Sequence, residues 1–586
     1  MNIFALAGEA VRQALLALQQ EGRLAQDIEL SGLDIQEPRD PSHGDLASNA
    51  AMVLAKRAKA KPRDLAQLIA DKLLDQTDFT KADVAGPGFI NLTLSGDVWC
   101  RLISTVLANK TTYGQSELGK GKSAQVEYVS ANPTGPMHIG HCRGAVFGDT
   151  LANLLAFAGY DVSREYYMND AGAQVDKLGQ SALLRYREAL GETIGEIPEG
   201  LYPGEYMKAI GQVLVERYGN SLLDMPTDEA LDIARSSAIE ALLSEIKNDL
   251  AALNVQHDVF FSERSLSTAE RDQVAEAIEL LRKKSLIYEG RLPKPLGHED
   301  DEWEDREQTL FRSADFGDDM DRALKKSDGS YTYFANDVAY HLNKIERGFS
   351  LYFNVLGADH VGYIPRLKAV VEALSDNSAN FETPVTQLVK VLRDGQPVRM
   401  SKRAGTFVAL RDVVDEVGSD PVRFMMMMRK HDSPLDFDLA KVVEQSKDNA
   451  VFYVQYAHAR AESVFRVAAE TFPELTKNSD SVRNADLTLL YDVGERALIR
   501  EIARFPRVVE SAAREREPHR VPFYLYDLAS AFHHQWARGN DLPQLRFSQI
   551  DNVKVTASRL ALVLATQKVI SSGLHILGVQ APLEMR

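Results

Sequence analysis

The feature that most restricts this chain is one local transition. Ala124-Gln-Val-Glu-Tyr-Val129 is a β-branched and aromatic run that passes through a turn rich in Pro and Gly into a helix-patterned stretch over about 141–158. A strand feeding a helix in this way points to a parallel sheet, whose neighbouring strands need crossover connections. Further strands are predicted at 162–167, 331–334, 351–356 and 387–391, with helices between them. The expected fold class is therefore α/β, a doubly wound, Rossmann-like parallel sheet. At 586 residues the chain exceeds one hydrophobic core, so flanking domains are expected.

Residues 1–119 read as a small α+β domain. Ile3, Leu6, Val11, Leu15 and Leu18 are spaced as an amphipathic helix, and Glu9 falls where a secretory leader needs unbroken apolar residues. A basic helical stretch follows at Lys56, Arg57, Lys59, Lys61 and Arg63, and a strand closes the region at about 89–94. Residues 120–447 hold the parallel sheet, interrupted by a mostly helical insertion at about 177–253. Residues 448–586 are patterned at three- and four-residue spacings, as in a helical bundle. No apolar run approaches the roughly 18 residues that span a bilayer, the nearest being cut by residues such as Gln567 and Lys568. Two cysteines, Cys100 and Cys142, are too few for a four-cysteine zinc site and suit a reducing compartment, so a cytoplasmic protein without structural zinc or membrane contact is expected. The net charge of -17 argues against nucleic acid as a partner if taken as a whole. The last region is nearly balanced, however, with roughly as many basic as acidic residues. The acidic run Glu299-Asp-Asp-Glu-Trp-Glu-Asp305 reads as a solvated loop.

The strand-to-helix turn is Ala131-Asn-Pro-Thr-Gly-Pro-Met-His-Ile-Gly-His141. Its two histidines straddle a glycine at a helix N-terminus, where free N–H groups and the helix dipole favour a phosphate. Gly140 leaves room for a close-lying nucleotide. Paired histidines also suit zinc, but no cysteine cluster or second histidine motif supports that. His138-Ile-Gly-His141 resembles the nucleotide-binding signature of class I aminoacyl-tRNA synthetases in all four letters. Far downstream, Val398-Arg-Met-Ser-Lys-Arg-Ala-Gly405 resembles their second motif, Lys-Met-Ser-Lys, with Arg399 at the first lysine and Lys402 at the second. The resemblance implies attack of an amino-acid carboxylate on the ATP α-phosphate, with Mg2+ carried by ATP. It assigns catalysis to His138, His141 and Lys402, and ATP contacts to those residues with Gly140, Met400 and Ser401.

A pocket for a cationic side chain has to supply carboxylates. Candidates are Glu127 with Asn132 at the first strand, Tyr333 and Asp337 four residues apart, and Asp359 in Gly357-Ala-Asp-His-Val-Gly-Tyr363. Each acid taken alone is equally a cap or surface group. The strings that hold them, together with Tyr333-Phe-Ala-Asn-Asp-Val-Ala-Tyr-His341, resemble the arginyl-tRNA synthetase family. That resemblance implies ligation of L-arginine to tRNA(Arg) through an arginyl-adenylate, by a monomer. It places arginine on Glu127, Asn132, Tyr333 and Asp337, its α-amino and carboxylate end nearer Ser130, Asn132 and His141, and Asp359 and His360 at the pocket edge or near adenosine. It also implies that tRNA binds before arginine is activated.

The N-terminal region, with His43-Gly-Asp-Leu-Ala-Ser-Asn49, resembles that family's tRNA-elbow domain, and the last region its anticodon-binding domain, so Asn49, Tyr453, Gln455, Tyr456 and Arg460 are candidate tRNA contacts. Aromatics at this spacing fit a core equally well. Arg496, Arg500 and Arg504 form one basic stripe, which Pro506 is expected to end or kink. Such a stripe is a solvated face or an RNA contact. No large insertion resembles an editing domain, and a guanidinium pocket has little need of one, because it rejects apolar or shorter amino acids. The rivals are a synthetase for lysine, glutamate or cysteine, an RNA-binding regulator that has lost catalysis, and a small-molecule nucleotidyltransferase.

Overall fold

The computed structural model describes residues 1–38, 40–109, 112–293, 306–398 and 408–585. The N-terminal domain opens with the helix Ile3–Gln20, whose first N–H groups are capped by the Asn2 side chain and whose inner face buries Phe4, Val11, Leu15 and Leu18. Beside it lies a four-stranded antiparallel sheet in the order Ile35–Gln36, Leu46–Ser48, Phe89–Leu94, Phe79–Ala85. The hairpin turn between the last two depends on Gly88, at φ 136°, where a Cβ would lie 3.0 Å from Pro62.

The central domain is built on five parallel strands in the order Phe381–Glu382, Leu351–Asn354, Ser123–Glu127, Asp161–Met168, Val259–Ser262. The strand that comes first in sequence lies in the middle, and the chain winds away from it on both sides. Its C-terminal end is therefore the topological switch point, where open α/β sheets bind ligands. Two predicted elements differ from the structure, and one sheet goes unpredicted. Residues 331–334 form no strand: Thr332 caps the helix Tyr333–Glu346, its hydroxyl accepting from Ala335 N. The strand Val389–Arg393 leaves the five-stranded sheet and pairs with Gln396–Pro397 and, in parallel, with Leu435–Asp438. A small antiparallel sheet, Ile287–Gly290, Gln308–Phe311 and Arg322–Lys325, was not legible in the sequence.

The expected helical insertion comprises Ala173–Ala189, Tyr206–Tyr218 and Thr227–Ala252, packed around its own core of Leu178, Tyr186, Met207, Leu214 and Leu242. The C-terminal bundle holds Ala450–Thr471, Val493–Glu515, Arg520–Asp541 and Val553–Leu577. The last of these is long and apolar enough to cross a membrane, and its most apolar window is 83% buried, as the central helix of the bundle. One apolar core runs from the N-terminal domain through the parallel sheet into this bundle.

Pro506 does not end its helix, which continues from Val493 to Glu515. Proline removes the N–H that the Ile502 carbonyl would receive. The buried Tyr113 hydroxyl donates to that carbonyl instead, at 3.3 Å, and the Tyr524 hydroxyl donates to the Glu501 carbonyl at 2.8 Å. Two hydroxyls from neighbouring segments thus satisfy the part of the helix that proline disturbs.

Candidate active site

The first strand ends at Glu127, and the backbone then turns through Val129 and Ser130, both left-handed, at φ 69° and 43°. A β-branched residue in that region is strained, and strain of this kind persists where surrounding contacts over-determine it. Here Tyr167 N donates to Ser130 Oγ at 3.0 Å and the Tyr166 hydroxyl to the Ala131 carbonyl at 2.6 Å. The turn feeds the helix Ile139–Phe157, whose N-cap is His138.

The histidines form a reciprocal cap. Gly140 N donates to His138 Nδ1 at 3.0 Å, His138 N donates to His141 Nδ1 at 3.2 Å, and the rings stack with centroids 3.9 Å apart. Because each Nδ1 accepts, each ring carries its proton on Nε2. A Cβ on Gly140 would lie 2.7 Å from His138 Cε1, so the glycine is required first by the cap itself. Met400, Ser401 and Lys402 lie outside the described residues, as does Arg399 and the acidic run 299–305. The flank that follows the second motif is anchored on the first: Ile139 N donates to Val408 O at 3.1 Å, and Leu410 N to Met137 O at 2.9 Å.

Beside this turn lies a cluster of acids. Asp337 projects from the helix Tyr333–Glu346, and Glu263 follows the edge strand Val259–Ser262. Burial pushes the Asp337 carboxyl up to about 7, with the charges of Glu263 and Glu127 adding to the rise against a hydrogen bond from Tyr363. Burial also raises Glu263, helped by Asp170, although Asn336 donates to it at 2.6 Å and Tyr167 hydrogen-bonds to it. Glu127 is engaged more deeply. Lys344, 1% exposed, contacts its carboxylate, and the Tyr340 hydroxyl donates to it at 3.0 Å. The same Tyr340 hydroxyl lies 2.7 Å from Glu165, which pairs with Arg347 at 2.5 Å. Glu127 thus has a cation of its own, whereas among the described residues neither Glu263 nor Asp337 has an ion-pair partner, and a bound cation would favour the charged form of both.

The remaining candidates divide. Asn132 donates to Gln174 at 3.4 Å, and Tyr333, 51% exposed, lies against Gly172. Asp359 and His360 are exposed in the turn Ala358–Tyr363, 3.6 Å apart. Arg500 and Arg504 are not a bare stripe: they pair with Asp45 at 3.0 Å and Glu37 at 2.9 Å in the N-terminal domain, and Arg507 reaches Asp34 at 3.1 Å. Arg496 lines the roughly 300 Å³ cleft at the same junction. Asn49 accepts from Asp34 N, and Gln455 donates to Asp420 and to the Gln580 carbonyl. Arg460 stacks over Tyr456 and Trp536, while Tyr453 packs against Tyr526 and His533. Sequence reasoning missed Glu263 and Lys344. Glu263 stands directly after the strand Val259–Ser262, at the C-terminal edge of the sheet, and the sequence signal for that strand is too weak to place it.

A parallel sheet with this histidine cap at its switch point is the arrangement of a class I aminoacyl-tRNA synthetase, and residues 102–465 match the family model described as tRNA synthetases class I (R), catalytic domain. Residues 6–94 match the arginyl tRNA synthetase N terminal domain, and 454–585 the DALR anticodon binding domain. Arginine–tRNA ligase of Nitrobacter winogradskyi is 57% identical over 100% of this chain and 99% of its own length, and that of Xanthobacter autotrophicus is 57% identical over 100% of both. The chain belongs to the arginyl-tRNA synthetase family. Its fold is shared with the Thermus thermophilus arginyl-tRNA synthetase, 21% identical, with a TM-score of 0.73 over 99% of this chain and 100% of that one.

Proposed function

We propose that the protein is a monomeric cytoplasmic enzyme that ligates L-arginine to tRNA(Arg) at the expense of ATP. An arginine carboxylate oxygen attacks the α-phosphorus of MgATP and the bond to the β-phosphate breaks, releasing pyrophosphate. The terminal ribose hydroxyl of the tRNA then attacks the adenylate carbonyl, and AMP leaves. No covalent enzyme nucleophile is needed, so the protein contributes position and charge neutralisation.

The observation that carries the arginine reading is the cluster of acids beside the capped histidine turn, Glu127 held by Tyr340 and Lys344, Asp337 by Tyr363 and Glu263 by Asn336, with burial raising the last two acids. A planar guanidinium offers such acids paired donors and a compensating charge. In this reading Asp337 and Glu263 hold the guanidinium, with Tyr333 beside it. Glu127, already paired with Lys344, shapes the pocket floor. Ser130, Asn132 and His141 face the α-amino and carboxylate end. His138, Gly140 and His141 take the ATP phosphates together with Met400, Ser401 and Lys402, and Asp359 and His360 lie towards adenosine. The tRNA lies along the bundle, where Tyr453, Tyr456 and Arg460 offer stacking surfaces, and Arg496 and Asn49 extend the path towards the N-terminal domain. Arg500 and Arg504 already serve the domain junction.

ATP–pyrophosphate exchange with each amino acid, with and without bulk tRNA, tests the reading. Exchange confined to arginine is expected, and exchange driven by lysine overturns the specificity. His141→Ala and Lys402→Ala should each slow arginine activation by orders of magnitude with the fold intact; near-normal exchange in both refutes their roles.

A further inference from the structure

The helical insertion has its own core, yet it reaches into the active-site turn. The Tyr206 hydroxyl donates to the Thr134 carbonyl at 2.7 Å. A Cβ on Gly135 would lie 3.3 Å from Tyr206 Oη and 3.4 Å from Cζ, so the ring lies directly on the Gly135 backbone. At the base of the same insertion, Gln174 accepts from Asn132. Residues 131–137, between the strained Val129–Ser130 pair and the histidine cap, are thus held on one side by the strand Asp161–Met168 and on the other by the insertion.

The insertion in turn fixes Tyr206 firmly. A Cβ on Gly204 would come within 2.2 Å of Tyr206 Cε1, so the ring can fold back only over a glycine. Arg185 donates to the Pro203 carbonyl at 2.8 Å, and Tyr202 N donates to Ser181 Oγ at 2.9 Å, fastening that turn to the helix Ala173–Ala189. Gly211 lets the helix Tyr206–Tyr218 approach the Arg185 backbone, where a Cβ would meet the carbonyl at 2.5 Å. A hydroxyl placed by so many constraints is suited to hold a loop at a set distance.

We propose that Tyr206 is a positioning residue of the active site, and that the insertion acts as a buttress setting the height of the turn that carries Asn132 and leads into His138. This rests on the reading that the turn lies over arginine and ATP. Tyr206 touches neither substrate; it acts through Thr134 and Gly135.

The test uses the full-length protein and ATP–pyrophosphate exchange with arginine and bulk tRNA. Tyr206→Phe removes one hydroxyl and keeps the ring. One hydrogen bond corresponds to about 2- to 12-fold in an equilibrium constant, so the KM for arginine or ATP should rise by that factor, with kcat within about twofold and a melting temperature lowered by no more than the loss of one hydrogen bond. Gly135→Ala, pressing on the same ring, should act in the same direction. The double variant should be no worse than the poorer single one, because both act on one contact. Unchanged KM values for both substrates in Tyr206→Phe overturn the proposal, as do strictly additive effects of the two substitutions. A parent protein without arginine-dependent exchange defeats the functional reading and this inference together, whereas an active parent with an indifferent Tyr206→Phe defeats this inference alone.

Discussion

Asp337 carries its charge reluctantly, because it is buried near Glu263 and Glu127 and is pushed up to about 7. An unfolded aspartate ionises near 4, so between those values the unfolded chain is ionised while the folded chain still holds its proton. Folding stability therefore falls as pH rises across that window and levels off above it. Asp337→Asn removes the liability, and thermal denaturation should show a higher melting temperature than the parent at about pH 8 and little difference at about pH 4. The same variant should raise the KM for arginine about 10- to 100-fold, the range expected for a charge-assisted hydrogen bond lost from a pocket. Glu263→Gln should do likewise. The four-residue spacing of Tyr333 and Asp337 is legible in the sequence, and the helix Tyr333–Glu346 carries both residues one turn apart. Glu263, Tyr363 and Lys344 reach the cluster from separate segments, and only the tertiary fold shows that Lys344 has already taken Glu127.

At the scale of single elements, the strand-turn-helix unit was readable because its strand, turn and cap all carry local signals. At the start of the helix Tyr333–Glu346, Tyr331-Thr-Tyr-Phe334 is rich in strand formers and predicts a strand, but Thr332 as cap outweighs that preference. Gly140→Ala should damage the histidine cap, since its Cβ lies 2.7 Å from the His138 ring, and arginine-dependent exchange should fall further than melting temperature does. At Pro506, where proline signals an end or a kink, the helix does not end, because tertiary hydroxyls serve the carbonyls it disturbs. Tyr113→Phe should cost about 0.5–1.5 kcal/mol in the parent and clearly less in a Pro506→Ala background, where the restored N–H serves Ile502. Chemical denaturation of the four proteins in that cycle measures the coupling, and equal costs in both backgrounds contradict the account.

Across the whole molecule, the domains meet at polar hubs that composition could not reveal. Arg423, fully buried, pairs with Asp149 of the histidine-motif helix at 2.5 Å and donates to the carbonyls of Leu577, Leu253 and Asn254, tying the bundle and the insertion to the catalytic domain. Arg423→Ala leaves Asp149 unpaired, and denaturation should show a loss of about 3–5 kcal/mol. The arginine stripe was visible in the sequence, but its partners Asp45, Glu37 and Asp34 lie in another domain, so its role at the junction was not. In the proposed function, Glu263 and Asp337 take the guanidinium of arginine. Calorimetry of arginine binding near pH 7, in two buffers of different ionisation heat, tests it most directly. Asp337, titrating at about 7, should release roughly half a proton as the cation binds, and neither the neutral isostere citrulline nor the Asp337→Asn variant should show that release. Arginine binding without proton release, or equal affinity for arginine and citrulline, contradicts the account.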